Sequence, residues 1–153
     1  MQQNQASAGI LSFATYITRY YHDADYIAAH SHTPADVIRN KIGWTQKNVP
    51  GPGDHTVAMG IKAARKAMYY AGLRSEDIDL VIWSGEEIKE YRSWPSGPKV
   101  QKELGLKKAW SFDMQQRCGT TVAAMMMARN MIRADKSIKN VLIATGYRNS
   151  DLI

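Results

Sequence analysis

The stretch Ala109-Trp110-Ser111-Phe112-Asp113-Met114-Gln115-Gln116-Arg117-Cys118-Gly119-Thr120-Thr121-Val122-Ala123-Ala124 sets the chain's single cysteine between an apolar run and a run of small residues. Residues 110–114 predict a strand and residues 118–134 a helix, which places Cys118 at the joint between them. A thiol in the first turn of a helix feels the positive end of the helix dipole, and Arg117 puts a cation beside it. Both favour thiolate over thiol, the form that attacks carbonyl carbon. The same residues also fit a small buried cysteine that packs as a hydrophobe.

Working outward, Ile78 to Trp83 and Val141 to Thr145 are short apolar runs of the buried-strand type. Gly9 to Ile17 alternates loosely through Ile10, Phe13, Ala14 and Tyr16 and predicts a first strand. Helices are expected at Ala24–His30, at Pro34–Lys41 with Thr33 as cap and Pro34 in the first turn, and from Asp54 to Gly72. A further helix is expected from Pro95 to Leu104. In the Asp54–Gly72 helix Val57, Ile61, Ala64, Met68 and Ala71 share one face, and Gly72 stops it. The stretch Val49-Pro50-Gly51-Pro52-Gly53 can only be a loop. Strands alternating with helices predict an α/β layer architecture whose strands are largely parallel. Ligands of such sheets bind beyond the carboxyl ends of the strands, where Cys118 and Glu86 both fall.

Composition narrows the function classes. The 153 residues suffice for one domain, and 44% hydrophobic with 22% charged residues is ordinary globular usage. No apolar run approaches the about 20 residues of a membrane helix. The amino terminus lacks the charged and apolar regions of a signal peptide, and a lone cysteine excludes an internal disulfide. Both fit a reducing cytoplasm. The net charge of +6 comes from scattered basic residues interleaved with acids, which argues against a nucleic-acid track. A positive field equally suits a phosphorylated cofactor such as CoA or an acidic carrier protein. No zinc-ligand spacing, Walker loop or Gly-x-Gly-x-x-Gly is present, and His30-Ser31-His32 without further ligands reads as surface rather than metal.

Five segments carry a resemblance. They are Val49-Pro50-Gly51-Pro52-Gly53-Asp54-His55-Thr56 with Met59 to Ala64, Asp77-Ile78-Asp79-Leu80-Val81-Ile82, Val100-Gln101-Lys102-Glu103-Leu104-Gly105, Phe112-Asp113 through Cys118-Gly119, and Lys139-Asn140-Val141-Leu142-Ile143. In this order and spacing the chain resembles the N-terminal half of a thiolase-fold condensing enzyme of the ketoacyl-ACP synthase III and HMG-CoA synthase branch. The resemblance implies an α/β fold of two similar halves in α-β-α-β-α layers around a mostly parallel central sheet. Residues 1–153 then form one incomplete N-terminal half-domain. The family's catalytic histidine and its asparagine or second histidine belong to the C-terminal half, and His22, His30, His32 and His55 match none of those positions.

The resemblance further implies that Cys118 accepts an acyl group from a CoA or acyl-carrier-protein thioester, with no covalently bound cofactor and no metal. Its backbone N–H would supply half of an oxyanion hole. Glu86 matches the general acid/base glutamate of HMG-CoA synthases, and a carboxylate in a semi-buried cleft can be tuned for that role; a solvated Glu86-Glu87 turn is the alternative. Where ketoacyl synthase III sequences carry Asp-Glu-Trp-Ile, whose tryptophan stacks on the CoA adenine, this chain has Ala35-Asp36-Val37-Ile38. Trp44 either substitutes from nearby or simply packs; together with Arg39 it is the candidate CoA contact. Met125 to Met127 read as core rather than as an acyl tunnel. The expected partners are acyl-CoA or acyl carrier protein, the complementary C-terminal half, and a second copy in a homodimer. The competing functions are an HMG-CoA-synthase-like aldol condensation through Glu86 and a non-catalytic assembly subunit.

Overall fold

A computed structural model describes residues 8–85 and 93–150. The described residues divide into two compact units, one of residues 8–16, 56–85 and 93–147, the other of residues 17–55 and 148–150.

In the smaller unit, β1 (Tyr20–Asp23) leads into α1 (Ala24–His30). Asp23 caps that helix by accepting the Tyr26 N–H at 2.7 Å. The short helix α2 (Ala35–Val37) continues as one wide π-turn over Ile38–Ile42. Pro34 itself occupies the cap position, one residue later than expected, because its ψ of 147° is still extended. The strand β2 (Gln46–Val49), which the sequence reading missed, pairs antiparallel with β1 from Tyr20↔Val49 to Asp23↔Gln46. Ala24, Ile27 and Ile38 form a small core, with Ala28 and Trp44 packed against it.

The larger unit is built on α3 (Thr56–Ala71), β3 (Leu80–Ser84), α4 (Ser96–Glu103), β4 (Trp110–Met114), α5 (Thr120–Ala134) and β5 (Val141–Ala144). The three strands are parallel in the order β4-β3-β5. Leu80 faces both Trp110 and Val141, and Ser84 faces Met114. All five residues of β3 are buried, as a central strand covered on both faces requires. Val81 and Trp83 join Val57, Ile61, Ala64 and Met68 of α3 and Val100 of α4 in one core. Leu80 and Ile82 point the other way, onto Ala124 and Ala128 of α5. The strand period of two therefore feeds two cores, and the unit is a layer of α3 and α4, the sheet, and α5.

Trp83 explains a glycine in α3. A Cβ on Gly60 would lie 2.6 Å from the indole and 2.8 Å from the Thr145 carbonyl, so only glycine lets the helix approach the sheet this closely. Gly72, at φ +65°, ends the same helix as the sequence implies.

Two expectations are corrected. Residues 8–18 carry no strand: Ile10, Leu11 and Phe13 are 75%, 67% and 81% exposed. Apolar alternation makes a strand only where a neighbouring strand accepts its backbone groups, and what ties this segment down is side chains. The Ser12 hydroxyl donates to the Ala67 carbonyl at 2.8 Å, and Lys62 donates to the Tyr16 hydroxyl at 3.0 Å. Nor are Met125 to Met127 core residues; each is exposed. Three consecutive helical residues span too wide an arc to face one core, and the buried stripe of α5 runs instead through Thr120, Ala124 and Ala128 at every fourth position.

The amino ends of the three strands converge on Asp79. Its carboxylate accepts the N–H groups of Lys139 at 2.8 Å and Asn140 at 2.9 Å, and pairs with Lys108 Nζ at 2.8 Å. Its own N–H donates to the Asn140 carbonyl, and its carbonyl accepts from Trp110 N–H. Burial pushes the carboxyl up, but the Lys108 hydrogen bond and the two backbone donors outweigh it and hold it below its ordinary value of 3.8. A depressed folded-state value means that this stability is fully present above the unfolded value and fades as pH falls through the folded one. Asp79→Ala is therefore expected to cost about 2–3 kcal/mol at pH 7. The gap to wild type should narrow below about pH 4, as read from urea denaturation across pH.

Asp113 plays the corresponding part for α4. Its two carboxylate oxygens accept the N–H groups of Ser96 and Gly97, each at 2.7 Å. Asp113→Ala should lower stability by about 1–2 kcal/mol, seen as a fall in the urea midpoint at constant slope.

Candidate functional site

Cys118 sits in a single 3-10 turn, Arg117–Gly119, between the carboxyl end of β4 and the first residue of α5. The sequence placed it as the first residue of a helix; the structure keeps it just before the α-helix, with its side chain exposed. The turn is tight because Arg117 adopts a left-handed backbone, φ +53°, rare for a residue with a side chain. Such a conformation costs about 1–2 kcal/mol and persists only when its surroundings hold it.

Those surroundings are two threonines that the sequence reading passed over. The Thr120 hydroxyl accepts the Gln116 N–H at 2.7 Å and donates to the Arg117 carbonyl at 2.6 Å. Thr121 lies within hydrogen-bond distance of the Ser84 hydroxyl, 2.8 Å, at the end of β3. Gly85 N–H reaches the Met114 carbonyl at 3.3 Å, extending the β3–β4 pairing by one step. The only sequence signal for this is a pair of hydroxyl residues at a helix start, where such side chains bond to backbone.

β4 itself is held from the α4 side. Gln101 donates to the Ala109 carbonyl at 2.6 Å and accepts from the Ser111 hydroxyl at 2.9 Å. Chemically, the arrangement offers an exposed thiol at the amino end of a 15-residue helix, whose dipole stabilises negative charge developing nearby.

The other expected site residues fare differently. Glu86 lies outside the described residues. The strand that precedes it, β3, is adjacent and parallel to the cysteine strand β4. Trp44 and Arg39 belong to the smaller unit. Trp44 packs against the Ala24–Ile27–Ile38 core, with Lys47 Nζ 5.8 Å from its ring. The Arg39 guanidinium is engaged by Asp25. His30 is stacked on Tyr26, which is stacked in turn on His22, with ring centroids about 4 Å apart. Among the described residues no group of three His, Cys, Asp or Glu side chains is placed to hold a metal. A groove of about 580 Å³ runs beside Ala8–Ala14, α3, α5 and β5, and Cys118 is not among its lining residues. No helix of the described residues is long and apolar enough to cross a membrane.

Known proteins agree with this geometry. The family model for 3-oxoacyl-[acyl-carrier-protein] synthase III matches residues 112–153, which include the carboxyl end of β4, the Cys118 turn, α5 and β5. The beta-ketoacyl-[acyl-carrier-protein] synthase III of Rickettsia rickettsii is 32% identical over 130 residues, which is 84% of this chain and 40% of the relative. That of Brucella anthropi is 33% identical over 111 residues, 72% of this chain and 34% of the relative. The chain thus spans about two fifths or less of the curated relatives it matches. Among solved structures, a 3-oxoacyl-(acyl-carrier-protein) synthase III superposes with a TM-score of 0.81 at 21% identity, over 90% of this chain and 41% of that one. The OleA protein of Xanthomonas campestris does so with a TM-score of 0.82 at 19% identity, over 95% and 45%. Fold, segment order and sequence identity together show that the chain belongs to the 3-oxoacyl-ACP synthase III family of thiolase-like proteins.

Proposed function

We propose that the protein is an acyltransferase of the condensing type, in which Cys118 takes an acyl group from a CoA or acyl-carrier-protein thioester. The observation that carries this reading is an exposed cysteine on a strained turn between a parallel strand and a helix amino end, inside the segment matched by the family model. The sulfur attacks the thioester carbonyl, and the carbon–oxygen electron pair moves onto oxygen. Collapse of that tetrahedral adduct expels the CoA or carrier thiolate, which takes up a proton, and leaves a thioester on Cys118. The Cys118 N–H and the α5 dipole are suited to stabilise the oxyanion. The acyl group is then available for carbon–carbon bond formation with a second thioester, as in fatty-acid-type synthesis.

The proposed partners include a complementary C-terminal half and a second copy; the chain spans about two fifths of the length of the relatives it matches. The edges of β4 and β5 away from β3 have no ladder partner among the described residues, and such edges favour association.

Intact-protein mass spectrometry after incubation with acetyl-CoA tests the first half-reaction. A single acetyl adduct is expected on the wild type and none on Cys118→Ala. Absence of an adduct with every acyl-CoA and acyl-carrier thioester tried, even with the complementary polypeptide present, would overturn the proposal.

A further inference from the structure

We infer that Thr120 is a positioning residue for Cys118, its hydroxyl locking the left-handed turn that presents the thiol. This rests on the reading of Cys118 as the acyl acceptor. Thr120 is the first residue of α5 and is 3% exposed, so its side chain faces protein rather than solvent. Its Oγ accepts from Gln116 N–H and donates to the Arg117 carbonyl, at 2.7 and 2.6 Å. The same carbonyl also takes the Thr120 backbone N–H. One residue therefore grips the backbone on both sides of the peptide that enters Arg117, the only non-glycine residue with a positive φ among those described.

The next residue ties the same helix turn to the central strand. Thr121 bonds to Ser84, a residue only 2% exposed at the end of the central strand. Two hydroxyls in sequence thus fasten the first turn of α5, one to the nucleophile turn and one to β3. A left-handed non-glycine backbone relaxes when the contacts that over-determine it are removed. Cys118 follows Arg117 directly, so relaxation there moves the sulfur relative to the α5 amino end. Covalent steps are steeply sensitive to small displacements of the attacking atom. Thr120 acts through the backbone of the turn, which makes it a positioning residue rather than a catalytic one.

Thr120→Val, Thr120→Ala and Thr120→Ser separate this role from simple stabilisation. Cys118 is the sole cysteine, so two rates report on it alone: alkylation by iodoacetamide and single-turnover acyl transfer from acetyl-CoA. Thermal melting by circular dichroism checks that each variant is folded. The folded Val and Ala variants should slow both reactions about tenfold with an unchanged half-saturating acetyl-CoA concentration. Thr120→Ser, which keeps the hydroxyl, should stay within about twofold of wild type. A purely stabilising residue would shift the melting temperature without altering the rates. Wild-type rates in a folded Val or Ala variant would overturn the inference. If the wild type is alkylated but accepts no acyl group, the acyl-acceptor reading fails. The ratio of alkylation rates then decides the role of Thr120 by itself.

Discussion

The carboxylate of Asp79 is the point on which the larger unit turns. Three parallel strands have no hairpins to set their register, since each arrives from a separate helical crossover. Asp79 supplies that register by gripping the residues before β5 with its carboxylate, the lysine before β4 with the same group, and the first residue of β4 with its carbonyl. Everything beyond the opposite ends of the strands inherits this alignment. A slip of β4 by one residue would turn Asp113 away from the α4 amino end and move the Cys118 turn with it.

The parts of the fold that were legible in the sequence are those in which local pattern and tertiary demand coincide. Residues 80–83 and 141–144 are apolar runs, and in β3 the run is buried throughout because helices cover both of its faces, whereas residues 110–114 mix apolar and polar side chains and are only partly covered. The position of Cys118 at the joint between a strand and a helix was legible from the change of residue type on either side of it. The illegible parts depend on partners remote in the chain. Residues 9–17 have strand composition without a ladder, whereas Gln46–Val49 has little strand character but meets Tyr20–Asp23. The roles of Thr120, Thr121 and Asp113 are hydrogen bonds whose acceptors and donors only the folded chain brings near. The methionine row looked like core because methionine is apolar; helical phase decided otherwise.

The candidate chemistry is concentrated where the architecture is most constrained. Hydrogen bonds join Ser84 to Thr121, Gly85 to Met114, and Gln116 and Arg117 to Thr120, in the elements that flank the exposed Cys118 in sequence. A side chain on a turn between rigid elements needs less rearrangement to reach a fixed geometry than one on a long loop. The smaller unit has a different character. Its core is small, and its two named candidates for ligand contact, Trp44 and Arg39, are each engaged within the unit, by packing and by an ion pair.

The strand order carries a consequence for synthesis on the ribosome. β3 is the most buried strand among the described residues, and the neighbours it pairs with there, β4 and β5, both follow it in sequence. At about 5–20 residues per second, several seconds separate the emergence of β3 from that of β5. During that interval Leu80, Val81, Ile82 and Trp83 have no completed sheet to enter. Four consecutive apolar residues left without strand neighbours are an association hazard for as long as the interval lasts, and the hazard ends only when β4 and β5 arrive to complete the sheet.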